Sequence, residues 1–472
     1  MKTIPRRNQH GSVLVVGLLI TFILGVTLAS YLILVRGQNL SVVRSQTWNS
    51  AFALSEAGVE DALAMINKYS GNFEMLHNWT NPASLDADNW ETIAPNVYKV
   101  RRNIGPDYYD VYVTNGVINR PTLYSIGTVT WVPTYASRTQ RGFLAAVGVP
   151  SPKTTLSRKL DVLTRMDPLF NFALAAVNVI ELNGNDVATD SFDSTVADYN
   201  TGGMYDPDKN KAGGDVVSND TIRNALNVGN AEIKGSVKTG PKGTVGIASG
   251  SVGDEAWVDG GNMGIQDGHF TDDMNVVWDP VLPPTNALWL PVSGPAGVLS
   301  GYGGYDYYFT ASGDFEVHGN SISKGILIGT NVHVRLKVYA GDIKITGSGE
   351  IRIPANSSLK IYMAGPQFSI AGGGVVNESG YAVNFQYYGL PTNTRIDFQG
   401  NGDFTGCIYA PNADFYLGGG GSGRVDFIGS SITKTVTLKG HYNFHYDEAL
   451  GKFGPRRGYT IISWSEVGWN EL

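Results

Sequence analysis

Three pairs of adjacent carboxylates, Asp254/Glu255, Asp272/Asp273 and Asp447/Glu448, are the residues of this 472-residue chain best suited by type to acid–base work. Hydrolysis of a glycosidic bond needs two carboxyl groups facing one cleft. Neighbours on a strand point to opposite faces, so none of these pairs is spaced for that task. His441 and His445 stand four apart and share a face of an extended strand, a spacing open to two metal ligands. With Tyr442, Phe444 and Tyr446 beside them, their expected role is to cap the last turn of a stack of strands. Asp206, Asp208, Asn210 and Asp215 offer the alternating oxygens of a calcium loop, but Lys211 replaces the turn glycine and no acid closes the loop. A polar turn is the plainer reading; calcium is the alternative, and no other cofactor or metal is expected. Cys407 lies among alternating apolar residues with no His/Asp arrangement legible around it, so a packed core thiol is expected rather than a nucleophile. No catalytic residue is assigned, and the chain is read as no enzyme.

The bulk numbers narrow the class. A net charge of −7 leaves no broad basic surface for nucleic-acid phosphates, so no nucleic-acid partner is expected. One cysteine excludes an intramolecular disulfide and a cysteine-rich zinc site. Fifty-nine glycines without a collagen period imply many tight turns.

The amino terminus carries the strongest pattern. From Ser12 to Val35 no side chain is charged and sixteen residues are Val, Leu, Ile or Phe. A helix of that length spans roughly 35 Å, enough to cross a bilayer core. Lys2, Arg6 and Arg7 precede it, which orients the amino terminus to the cytoplasm and sends the bulk of the chain outside. The run is too long for a typical secretory signal. Helical spacing then continues through Trp48, Phe52, Val59, Leu63 and Ile66, so the anchor becomes a stalk.

After the stalk, "NVYKVRRNI", "DYYDVYVTNGV", "TLYSIGTVTWV" and "RGFLAAVGV" read as four strands of an antiparallel meander, with the stalk helix covering one face. "VPSPKTTLSRKL" reads as a domain junction. Beyond Phe170 the chain repeats short alternating runs ending in glycine or asparagine, such as "DIKITGSG", "EIRIPANSS" and "FSIAGGG". A β-sandwich and a parallel β-helix both fit. Strand starts at Ile343, Ile351, Leu359 and Phe368, eight or nine residues apart, favour the β-helix. Pro280 to Pro291 and Tyr302 to Phe309 depart from the repeat and read as an insertion or lateral loop.

Arg6-Arg7 and Gly11 before the apolar run, followed by Phe52-Ala53-Leu54-Ser55-Glu56-Ala57-Gly58, resemble the amino-terminal region of PilX-like minor pilins and of K-type pseudopilins. The order Ser125 to Val129 and then Ser137-Arg138 is similar to the same pattern, and Phe404 to Leu450 resembles β-helical envelope domains found behind such termini. The resemblance implies cleavage after Gly11 by a prepilin peptidase, with Ser12 as the mature amino terminus, and a helix motif of Phe52, Glu56, Ala57 and Gly58. Position five of the mature chain is Val16, where major pilins carry a glutamate; K-type pseudopilins and PilX-like proteins are similar in lacking it.

The resulting expectation is a mainly β protein: a long amino-terminal transmembrane and stalk α-helix, a small antiparallel pilin-like β-sheet, and a large parallel β-helix. The expected parts are a leader at 1–11, transmembrane and stalk helix at 12–66, sheet at 67–150, linker at 151–170, β-helix at 171–450 with an insertion near 254–312, and a tail at 451–472. The implied role is that of a minor pilin or pseudopilin-like subunit of a type IV pilus or related filament, displaying the β-helix for adhesion or spacing. It would sit in the cytoplasmic (inner) membrane as a single-pass protein. Implied partners are other pilin or pseudopilin subunits, the prepilin peptidase, the inner-membrane assembly platform, the membrane itself, and a glycan or surface ligand. The alternative is a membrane-anchored β-helix enzyme acting on polysaccharide.

Overall fold

A computed structural model describes residues 10–67, 89–114, 120–131, 154–183, 187–220, 226–228, 231–282, 289–292, 298–299, 306–309, 315–319, 325–419, 425–439 and 441–467. The expected strand "RGFLAAVGV", the basic residues before His10 and Ser137-Arg138 lie outside them. The chain divides into two compact units. One comprises Met1–Ile66, Asn78–Met166 and Tyr459–Leu472; the other comprises Asn67–His77 and Asp167–Gly458.

The first unit opens with α1 (His10–Asn67), a single unbroken helix. It contains a window of mean hydropathy 2.6 with none of its residues buried, so it is long and apolar enough to cross a membrane. Thr21 and Thr27 return their hydroxyls to the carbonyls of Gly17 and Ile23, which keeps even the polar side chains of this stretch satisfied within the helix. From Ala51 onward α1 becomes one-sided.

Strands β1 (Glu91–Ala94), β2 (Val97–Ile104), β3 (Asp107–Thr114), β4 (Thr122–Trp131) and β5 (Thr154–Pro168) pair antiparallel in sequence order. Val100 faces Val111, Val111 faces Ser125 and Ile126 faces Lys159. Alternation sends Tyr98, Val100, Val111, Val113 and Leu123 into a core shared with Val59, Ala62, Met65 and Ile66 of α1.

Two expectations fail here. The segment expected as a linker is mostly β5, because beneath its polar look Leu160, Val162, Thr164 and Met166 alternate onto the buried side. The expected carboxy-terminal tail is mostly a strand, Arg456–Glu466, that joins the same sheet beside β5. The second unit is therefore inserted between the last two strands of the first unit's sheet, and composition alone does not reveal an insertion of this kind.

In the second unit, strands stack in parallel triplets. Phe315–Gly319, Gly325–Ile328 and His333–Val338 pair with Ile343–Gly347, Glu350–Ile353 and Ser358–Met363. Those pair in turn with Gln367–Ile370, Val375–Asn377 and Phe385–Gly389. The parallel registers differ from the antiparallel ones of a β-sandwich. The inward residues form one continuous apolar core, including the expected Ile343/Ile345, Ile351/Ile353 and Leu359/Ile361. A ladder of rings runs along it, with centroids 5.5 Å apart for Phe385–Phe404, 4.4 Å for Phe404–Phe427 and 4.9 Å for Phe427–Phe444. Such contacts add about 0.5–1.5 kcal/mol per pair beyond area burial.

The order of the stack departs from the order of the chain. The last strands, Val425–Leu438 and Tyr442–Asp447, pair with the first ones: Ser431 with Leu174, Val436 with Ile180 and His445 with Asp190. The chain thus enters mid-stack, winds outward through Glu232–Lys234 and Ser251–Gly253, then returns and winds back until its last turn rests on its first. His445 accordingly lies between turns and does not cap the stack.

The segment after Thr271 runs along the outside of the stack. Asn219 accepts from the Val276 backbone N–H at 3.0 Å, and the Tyr409 hydroxyl donates to the Asp279 carbonyl at 2.7 Å. Met274 and Val281 are buried against a cluster that includes Tyr362, Tyr388 and Tyr409. The expected insertion near 254–312 narrows to this strap and to the short helix Glu255–Asp259 before it. Trp289–Val292 and Asp306–Phe309, expected as part of the lateral loop, pair with each other, and the second pairs with His333–Val338.

Candidate functional site: the helix–sheet contact and its acidic groove

Ala51, Ser55, Gly58 and Ala62 of α1 are buried at spacings of four, three and four, which makes a stripe of small residues down one side of the helix. Ser125 and Gly127 of β4 lie against it. A methyl group at Gly127 would stand 2.1 Å from the Ala51 carbonyl oxygen and 2.4 Å from the Ser55 nitrogen. One at Gly58 would stand 2.3 Å from Ser125 Oγ. The helix and strand backbones are in direct contact, and only glycine leaves the room. The buried side of α1 is therefore turned toward the small residues; of the expected line Trp48, Phe52, Val59, Leu63 and Ile66, Val59 and Ile66 are buried, Phe52 and Leu63 are half-buried and Trp48 is exposed.

Ion pairs hold the contact in register. Asp61 of α1 accepts from the Tyr109 hydroxyl at 3.1 Å and from Arg102 Nε at 3.0 Å. Burial, with Asp61 adding to it, pushes the Tyr109 phenol up to about 12. Across β2 and β3, Arg101 grips Asp110 through two bonds of 2.8 and 2.6 Å. Burial opposes the Asp110 charge, but Arg101 and Lys99 outweigh it and hold the carboxyl below its usual range.

At the β5 side the helix and sheet splay apart into a groove of about 280 Å³. Glu56 and Glu60 form its lip, and Leu63, Val162, Ile461 and Trp464 are among its apolar lining. Trp464 is 58% exposed. Also between α1 and this side of the sheet, the Arg158 guanidinium lies 4.6 Å above the Trp48 ring and 4.5 Å above Phe52, and it donates to both oxygens of Glu466. Of the expected helix motif, Phe52 thus packs under Arg158, Ala57 is half-buried, Gly58 makes the close approach and Glu56 faces solvent at the lip. Arg158, Trp464 and Glu466 escaped the sequence reading because they reach α1 from distant stretches read as linker and tail.

The helical backbone begins at His10 and runs through Gly11 and Ser12. The calcium candidates serve local structure. Asp206 accepts from the Asp208 N–H at 3.1 Å and from the Thr201 hydroxyl at 2.5 Å. Asn210 donates to the Pro207 carbonyl, and Asp215 pairs with Lys238 at 3.1 Å. Among the described residues, no group of three or more His, Cys, Asp or Glu side chains is placed to hold a metal ion. Treatment with EDTA is accordingly expected to leave the melting temperature unchanged, and a clear drop reversed by added calcium would show that this loop binds the ion after all.

Of the paired carboxylates, Asp272 and Asp273 are exposed on the strap, whereas members of the other two pairs serve local structure. Asp254 caps the helix Glu255–Asp259 by accepting from the Trp257 N–H. Asp447 accepts from Ser194 Oγ at 2.7 Å, and Glu448 from Ser191 Oγ at 2.8 Å. Cys407 is fully buried, and burial pushes its thiol well above the usual range, so it holds no nucleophilic thiolate near neutrality.

Residues 307–453 match a family described only as a domain of unknown function (DUF7305). No curated protein matches the chain in sequence. Among solved structures, the crystal structure of the competence-associated pilin ComZ from Thermus thermophilus is similar over 89% of this chain and 98% of that one, at 13% identity and a TM-score of 0.24. A likeness at that score settles neither fold nor function.

Proposed function

We propose that the chain is a minor pilin or pseudopilin-like subunit of a type IV pilus or related filament. It is anchored by α1, processed after Gly11, and displays a parallel β-helix outside the membrane for adhesion or spacing. The observation that carries this reading is the continuity of α1. One helix passes without a break from an apolar stretch that is uncovered among the described residues to a stripe of small residues seated on an antiparallel sheet. A simple membrane anchor does not require that the same helix serve as the spine of the folded domain. The pairing of every third strand in parallel register supports the β-helix part of the reading. Other pilin-type subunits, the prepilin peptidase and the assembly platform are the partners that follow from it.

Amino-terminal sequencing of the protein from its native membrane tests the proposal. Ser12 is the expected first residue, and Gly11→Leu is expected to leave the leader in place. A first residue beyond Val35, with the apolar stretch removed, would exclude the filament role; an intact Met1 would leave a plain anchor.

A further inference from the structure

The groove between α1 and the sheet has an acidic lip and an apolar lining, and α1 carries a complement to both. Glu56 and Glu60 are exposed, as are Arg36 and Arg44, and none of the four has an ion-pair partner among the described residues. At 100° per residue, Arg36, Leu40, Val43 and Arg44 fall within a stripe of roughly 100°. Glu56, Val59, Glu60 and Leu63 fall within a second stripe on the opposite side of the helix. The centres of the two stripes are separated along the axis by about 27 Å. A rod that is basic on one side and acidic on the other, with the two displaced along its length, does not match a copy at its own height. It matches a copy shifted by that displacement, and the contact is heterologous, so it can repeat.

We propose that this groove receives the Arg36–Arg44 stretch of α1 from a second copy of the chain. Leu40 and Val43 enter the apolar cleft beside Ile461 and Trp464, and the two arginines meet Glu56 and Glu60. Among the described residues Arg456–Glu466 is the edge strand of its sheet, and it explains why the acceptor is built here: Ile461, Ile462 and Trp464 are 41%, 50% and 58% exposed, an apolar edge that a partner would cover. Arg158, already bound to Glu466, does not compete for the glutamates. The shift of about 27 Å is close to the thickness of a bilayer core, so the contact belongs to copies at successive heights in an assembly and not to copies side by side in a membrane.

The contact rests on the filament reading, because it needs α1 retained in both copies. The test is cysteine cross-linking in intact cells with a short bismaleimide, using full-length protein that carries Leu40→Cys and Ile461→Cys; the native Cys407 is fully buried. A covalent dimer is expected. Reversing the lip (E56R with E60R) or the arginines (R36E with R44E) lowers its yield about fivefold, and combining both reversals restores it. Absence of dimer, an equal yield from Ser45→Cys in place of Leu40→Cys, or an adduct only with a different protein overturns the proposal. Sequencing the amino terminus of the same material separates the two failures. Ser12 with no dimer sinks the docking alone, whereas loss of the apolar stretch sinks the filament reading with it.

Discussion

Gly127→Val is expected to dismantle the first unit while leaving the second folded. Overpacking a well-filled core ordinarily costs about 1–3 kcal/mol, because neighbouring side chains rotate away. Here the added carbon meets the Ala51 carbonyl and the Ser55 amide, which are helix backbone and cannot turn aside. The helix must lift off β4, and with it goes the burial of Val59, Ala62, Met65 and Ile66. A cost above about 3 kcal/mol follows, a large part of the stability of an ordinary domain. Hydrogen exchange reads it locally: amides of Leu123–Val129 and Ala51–Ala62 should lose protection, and those of Ile343–Ile361 should keep it. Gly37→Ala is the matched control, since nothing lies within 4 Å of that position. Normal protection in Gly127→Val would show that the helix does not rest on β4.

The second large effect is expected at the seam where the last turn of the stack rests on the first. His445 is 4% exposed, and its Nδ1–H donates to Asp190 Oδ1 at 2.6 Å. Nε2 stands 3.3 Å from Asp426 Oδ1, an ion-pair distance rather than an aligned hydrogen bond. The ring stacks 3.6 Å from that of Tyr205, whose hydroxyl donates to the other oxygen of Asp190 at 2.7 Å. Burial opposes the imidazolium, but Asp190 and Asp426 outweigh it and raise the pKa to about 9. Because the folded value lies above the unfolded one, the stabilisation is complete below pH 6.5 and is lost as pH climbs through 9. The loss should amount to about 2–3 kcal/mol, reduced somewhat because Asp426 is partly in solvent. Urea midpoints of the second unit should fall across that window in the native chain and stay level in Asp190→Asn, which starts from a lower value. A native profile that is flat between pH 6.5 and 9 would mean that His445 is not held as the cation.

The seam also shows where local reading stops. His445 and Asp190 are each ordinary polar residues in a β-rich stretch, and 255 positions separate them. The pattern around His445 supports a strand, and the structure has one. That this strand lies against the first turn depends on the strap after Thr271, which carries the chain back along the outside of the stack. Similarly, "VPSPKTTLSRKL" has the composition of a linker, and only the sheet beside it reveals that Leu160 and Val162 are core. The helix motif was legible as Glu56-Ala57-Gly58 and the strand motif as Ser125 to Val129, but their meeting was not, since nothing in either predicts which strand the helix will touch.

Composition and periodicity alone therefore determined an uncharged run long enough for a membrane, a helix that outlasts it, and a body of short strands with one apolar side. These follow from hydrophobicity and from the repeat of 3.6 or 2 residues, which act over a few positions. Tertiary structure decided that the second unit is inserted between β5 and the final strand, that its chain starts and ends mid-stack, and that an acidic groove opens beside Trp464. Each of those depends on contacts between residues far apart in the chain, which are settled by packing and closure of the whole fold rather than by any local preference.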